Sequence, residues 1–347
     1  MSRPGWTALH RRTITTILGA GIFMSAAGRK GRAGNFPNRT VRIITPVPAG
    51  VSSIDIAARI IAPMMAELLG RPVTVENHPG GGGILATELV LRAPADGHTL
   101  FLGGVGSLVD AFLTAGRTPP DPLRDLAPII RVTRDHWVVA ATPTLGIGSV
   151  AEMAVAARAR PGWLTYASFG VGSPFHLVAV RFCNGVGIEA THIPYRDSYM
   201  ADLLAGRVSF VVQSSSPVQP DLLAGRLRGL AILSLGRLAT LPDIPTIGEA
   251  GYPGLEYNGG VVLYAPAGTP AAIVGRLNVV VEEALRAAQV RARLDELGLE
   301  TPGGPPSDAA GFVRWSLGFN AEARALIPPS TAPSADTGLQ VREGAPR

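Results

Sequence analysis

Residues 42–59, RIITPVPAGVSSIDIAAR, read as a strand, a tight loop and the head of a helix. The β-branched run at 41–45 favours a strand. Pro46, Pro48 and Gly50 then turn the chain, and Ser52 or Ser53 caps an amphipathic helix that runs to about Leu69 and ends at Gly70. Such a junction leaves backbone N–H groups without intrahelical partners, with the positive end of the helix dipole behind them. It is a ready place to hold a carboxylate or phosphate. Pro48, Ala49, Gly50, Val51 and Ser52 are therefore candidate ligand-binding residues. Asp55, in the first turn, is either a helix-stabilising acid or a second ligand contact.

The same arrangement recurs outward from this stretch. A strand at 98–102 is followed by Gly103, Gly104, Val105, Gly106 and Ser107, and a strand at 164–168 runs into Phe169-Gly170-Val171-Gly172-Ser173-Pro174-Phe175-His176. Ser173 reads as an N-cap, with Pro174 at the first helical position, where its missing N–H costs nothing. Strands at 188–193 and 208–212 end at Pro194-Tyr195-Arg196-Asp197-Ser198 and at Gln213-Ser214. Open α/β sheets hold ligands at the C-terminal ends of their strands. Gly104, Ser107, Ser168, Gly170, Gly172, Ser173, His176, Tyr195, Asp197 and Ser214 thus join the candidates. The alternation of strands and helices predicts an α/β fold built on a doubly wound parallel sheet, with a second unit starting near Ala140. Helices at 271–287, 290–297 and 307–326 close the chain.

Composition narrows the function. At 347 residues, 46% hydrophobic and 16% charged, the chain can bury a large core and form two domains. The net charge of +5 invites a nucleic-acid partner, but residues 1–33 carry six of the 31 basic residues and none of the 26 acids. Without them 25 bases face 26 acids, and no nucleic acid is expected. Those residues have the layout of an export signal: basic Arg3, Arg11 and Arg12, an apolar run at 14–27, then small residues, with cleavage after Ala27 or Ala33. Thr13-Ile14-Thr15 matches a twin-arginine signal poorly, so the Sec route to the periplasm is the expectation. No run reaches the roughly 18 apolar residues of a membrane span. Residues 328–347, rich in Pro, Ser, Thr and Gly, read as a disordered tail.

Chemistry-bearing patterns are few. Cys183, the single cysteine, reads as a small core residue, and the six histidines have no metal-ligand spacing. Gly81 to Ala86 formally fits G-x-G-x-x-A, but no acid ends a strand about 20 residues on; a glycine turn that lets helix and strand pack closely is the reading, and no cofactor is expected. There is no G-x-S-x-G elbow, and Ser173 with His176 reads as a helix cap and a packing residue rather than a catalytic pair. An enzyme is not expected.

The chain resembles the extracytoplasmic substrate-binding proteins of tripartite tricarboxylate transporters, often called Bug proteins, over residues 36–327. The marks are Phe36-Pro37-Asn38-Arg39, Pro46-Val47-Pro48-Ala49-Gly50 with Asp55, Val75-Glu76-Asn77, Ala95-Asp96-Gly97-His98-Thr99-Leu100, Tyr166-Ala167-Ser168 with Gly172-Ser173, and His192-Ile193-Pro194-Tyr195-Arg196. Leu241-Pro242-Asp243-Ile244-Pro245-Thr246, Glu249-Ala250-Gly251-Tyr252-Pro253-Gly254 and Ala265-Pro266-Ala267-Gly268-Thr269-Pro270 are the most specific. The resemblance implies a two-domain periplasmic-binding-protein fold of the Venus flytrap, type II-like kind, with two crossing strands. Domain 1 would be 36–139 plus 260–327, and domain 2 would be 140–259. It implies a small organic acid as ligand, held by backbone amides, hydroxyls and water, and a monomeric receptor serving permease subunits or, in orphan members, a membrane sensor kinase. Val51, Asp197 and Gly260 depart from the family pattern. Asp197, facing the cleft, would repel a second carboxylate and favour a monoacid or a ligand bearing an amine.

Overall fold

A computed structural model of the chain describes residues 36–327; the expected export signal and tail lie outside the described residues. β1 (Val41–Thr45) and α1 (Ser53–Leu69) form as the opening motif predicts. Ser52 has extended backbone and its Oγ accepts the Ile54 N–H at 3.3 Å, while Gly70 ends the helix at φ 64°, where a side chain would be strained. β2 (Val73–Asn77), α2 (Ile84–Leu91), β3 (Thr99–Gly103), α3 (Ala111–Thr114) and β4 (Leu126–Asp135) follow. The chain then crosses through the single residue His136 into β5 (Trp137–Ala141).

Beyond the crossing come α4 (Val150–Ala159), β6 (Leu164–Ser168), α5 (Pro174–Val186), β7 (Ala190–Pro194), α6 (Met200–Leu204), β8 (Phe210–Ser214), α7 (Gln219–Leu223) and β9 (Arg228–Ile232). A long connection returns as β10 (Gly259–Pro266), followed by α8 (Ala271–Arg286), α9 (Ala288–Glu296), β11 (Leu299–Glu300) and α10 (Pro306–Ala325). Two sheets result, in the orders β11-β4-β10-β3-β1-β2 and β7-β6-β8-β5-β9. This is the two-domain periplasmic-binding-protein fold, with β4–β5 and the return into β10 as its crossing strands.

The parallel sheet expected from the alternation needs correction. β1, β2 and β3 are parallel, as are β6, β7 and β8, but β10 runs antiparallel between β3 and β4, and β5 antiparallel between β8 and β9. A chain that enters the second sheet along one strand and returns along another must run against its neighbours there. Strand direction leaves no mark on side-chain periodicity, so the pattern could not carry it.

Each sheet buries its own apolar faces: Ile43, Ile61, Met65, Leu100 and Leu102 around the first, Phe182, Tyr199 and Phe210 around the second, all fully buried. Burial of each such side chain stabilises the fold by about 1.5–3 kcal/mol. Gly260 explains its own departure from the family pattern. A Cβ there would lie 2.3 Å from the Thr133 carbonyl oxygen, and the neighbouring space is filled by the Arg131 guanidinium, which lies 3.7 Å over the Phe312 ring and donates to the carbonyl of Gly259 and to Asn258 Oδ1.

Candidate functional site

The heads of two helices meet at one cleft. Ser52, Ser53 and Ile54 bring the N-terminus of α1 from the first sheet, and Pro174 and Phe175 bring that of α5 from the second. Gly104 to Gly106, after β3, form one wall; Asp135 and Trp137, on either side of the crossing, form the back with Tyr257 and Gly260; Phe312, Ser316 and Asn320 of α10 complete it. The cleft encloses ≈ 450 Å³ counting space open to solvent.

Of the candidate residues, Ser52 and Gly104 line this cleft. Ser214 sits at its margin, its Oγ accepting the Ser53 N–H over a long 3.4 Å. Ser173 caps α5 by accepting the His176 N–H and donates to the Gly170 carbonyl at 2.7 Å. Pro48, Ala49, Gly50 and Val51 lie outside the cleft lining, with Ala49 and Gly50 exposed. Asp55 is fully buried and holds that loop to the helix: its carboxylate accepts the Gly50 N–H at 2.7 Å, Asn77 Nδ2 at 2.7 Å and Arg59 Nε at 2.8 Å. Ser107 is buried with its carbonyl accepting the Thr87 hydroxyl. Tyr195 donates its hydroxyl to Asp202 at 2.6 Å and lines a separate groove, and Asp197 is exposed outside both.

Ser168 and His176 belong to a buried stack instead. The His176 and His192 rings lie 4.1 Å apart beside Tyr166; Gly172 N–H donates to His176 Nδ1 at 3.1 Å, and Ser168 Oγ lies 2.7 Å from His192 Nε2. Burial pushes His176 down to about 4, and burial together with the neighbouring His176 pushes His192 down to about 3. Both are neutral at pH 7. An unfolded histidine titrates near 6.5, so below that pH the unfolded chain binds more protons and the fold loses stability as pH falls through 4 towards 3. Asp135 and Asp110, both raised by burial and the latter to about 6, work in the opposite sense. Urea denaturation is expected to show stability falling by about 2–4 kcal/mol between pH 7 and pH 4. His192→Gln should flatten that slope, and an unchanged slope would remove the pair from the explanation.

Glycines let the two sheets' loops touch backbone to backbone. A Cβ on Gly170 would lie 3.0 Å from the Gly82 nitrogen, and one on Gly172 would lie 2.6 Å from Thr114 Oγ1, 2.8 Å from the Asp110 carbonyl oxygen and 2.9 Å from Ala111 Cα. A Cβ on Gly106 would meet Pro174 at 2.6 Å. The formal G-x-G-x-x-A segment is part of this seam, since Gly82 packs against the Val171 carbonyl and Gly83 against Ser107.

Sequence reasoning missed the back of the cleft. Asp135 is 3% exposed; Ser53 Oγ donates to its Oδ2 and Thr133 Oγ1 donates to its Oδ1 at 2.5 Å. Trp137 is 4% exposed, its ring packed against Tyr257 and Phe175, and its Nε1 has no hydrogen-bond partner. The available signal was an acid between two strand-forming segments at 129–141, IIRVTRDHWVVAA.

A two-sheet α/β fold with crossing strands and helix heads facing a shared cleft defines the class of solute-binding proteins. A family profile described as "Tripartite tricarboxylate transporter family receptor" matches residues 57–316, and the chain belongs to that family. It is 36% identical to the "UPF0065 protein in tcbD-tcbE intergenic region" of Pseudomonas sp. (strain P51), over 90% of this chain and 93% of that protein. Among solved structures it is similar to Rhodopseudomonas palustris Rpa4515 with adipate (33% identity, TM-score 0.79, 84% of this chain and 98% of that one). It is similar also to MatC from Rhodopseudomonas palustris with bound malate (30% identity, TM-score 0.79, 83% and 100%). No helix among the described residues is long and apolar enough to cross a membrane.

Proposed function

We propose that the chain is an exported, periplasmic receptor that captures a small carboxylate between its two sheets and delivers it to the permease of a tripartite transporter. The observation that carries this is the convergence of the α1 and α5 N-termini on one cleft, because the positive ends of two helix dipoles favour an anion there. The adipate and malate of the two Rhodopseudomonas relatives support the ligand class. In this reading residues 36–139 with 260–327 and residues 140–259 are the two closing bodies, the receptor is a monomer, and ligand drives closure by its higher affinity for the closed state. Catalysis is not part of the reading: Ser168 and His192 sit in an aromatic stack away from the cleft lining, and His192 is too weak a base at neutral pH to activate a serine.

A thermal-shift panel of mono-, di- and tricarboxylates, amino acids and aromatic acids tests it. A ligand at 100 times its dissociation constant adds about 2.7 kcal/mol and raises Tm by several degrees. A selective rise with one acid class is expected; no rise with any acid would remove the carboxylate reading. Transfer to a permease is tested separately, by whether deleting the receptor stops uptake of that acid.

A further inference from the structure

The two helix heads differ in what already faces them. The head of α1 meets two carboxylates of the protein itself: Asp55 takes the Gly50 N–H, and Asp135 takes the Ser53 hydroxyl. The first turn of α5 contains no acid. Asp135 lines the cleft, is almost wholly buried and has two hydroxyls as partners but no cation within hydrogen-bond reach. A carboxylate has about four acceptor positions, so about two remain. Burial raises the Asp135 pKa, so a second carboxylate brought against it would meet like charge or force one of the two to hold a proton, in a site that water screens poorly. A hydroxyl or ammonium would instead satisfy it. Trp137 lines the same cleft, and its buried indole N–H, next to Gly259, has no hydrogen-bond partner.

Resting on the carboxylate-receptor reading, we propose that Asp135 is a specificity-determining residue. The ligand places its carboxylate at the head of α5 and a hydrogen-bond donor, hydroxyl or ammonium, on Asp135. The preferred class is hydroxy- or amino-monocarboxylates over dicarboxylates of the same length.

Calorimetric titration with two matched sets tests this: adipate, 6-hydroxyhexanoate and 6-aminohexanoate, and succinate, 4-hydroxybutyrate and 4-aminobutyrate. Within at least one set the wild-type protein is expected to bind the hydroxy or amino acid at least tenfold more tightly than the dicarboxylate. Asp135→Asn should cut that advantage below threefold, with the amino acid losing more than the hydroxy acid because it alone needs the charge. A dicarboxylate binding most tightly in both sets would overturn the role of Asp135 while leaving the carboxylate reading in place. An advantage retained in a folded Asp135→Asn protein would do the same. If none of the six binds, the Asp135 proposal falls, and the carboxylate reading is decided by the thermal-shift panel. Should the variant not fold, as judged by circular dichroism, the wild-type order decides alone.

Discussion

Gly172→Ala is expected to weaken ligand binding by at least about thirtyfold while leaving the protein folded. The new methyl would sit 2.6–2.9 Å from Thr114 Oγ1, the Asp110 carbonyl and Ala111 Cα, all across the seam from the second sheet, and two of those three atoms are backbone that cannot rotate aside. With the sheets apart the clash vanishes, and only the φ of +78° remains to strain an alanine, by about 1 kcal/mol. The substitution therefore penalises the closed arrangement selectively, and a closed-state cost of about 2 kcal/mol or more lowers apparent affinity by the matching factor. Titration calorimetry with the best ligand, together with the radius of gyration from small-angle scattering with and without it, reads both effects. Gly146→Ala is the control, since it has a similar φ of +66° but nothing within 4 Å. Equal affinities in Gly172→Ala and Gly146→Ala would refute the closing role of the seam.

Asp55→Ala is expected to cost about 1–3 kcal/mol of stability. Its carboxylate is fully buried and is shared by the Gly50 N–H and by Asn77, whose amide also donates to Thr45 Oγ1 and the Val47 carbonyl. Removing the acceptor leaves the Gly50 N–H without its partner, while Asn77 keeps the Thr45 and Val47 oxygens, and it loosens the loop that places the head of α1. Arg59 adds less, because its side chain is about half exposed. Urea denaturation measures the loss, with exposed Asp197→Ala expected within about 0.5 kcal/mol of wild type. A loss under 1 kcal/mol for Asp55→Ala would show that water replaces these bonds.

The contrast between those two acids shows what the sequence could carry. Local rules placed β1, the Ser52 cap, the Gly70 stop, β6 over 164–168 and the Ser173-Pro174 start of α5, because each depends on neighbours within one turn or one strand. Asp55 looked equally able to hold a ligand or its own helix; its actual partner Asn77 lies 22 residues away, beyond any local rule. Asp197 stood at a strand end but faces solvent. The back of the cleft depends on longer relations still. Asp135 meets Ser53 across 82 residues, and Tyr257 reaches Trp137 only because the chain crosses twice. Family resemblance supplied the two crossings; the alternation of strands and helices alone marks a second unit from near Ala140 but not how the chain passes into it and back.

The glycine seam and the back of the cleft are formed by different residues, with Gly106 alone belonging to both the seam and the cleft wall. Contact across the seam is made by main chain at Gly82, Gly106, Gly170 and Gly172, while Asp135, Trp137 and Tyr257 shape the cleft behind it. If these three hold the solute as proposed, changes there would retune which solute is accepted without redrawing the seam. A partner reading the outline that the seam sets would then meet one shape whatever lies inside, leaving solute preference free to drift over evolution while docking stays fixed.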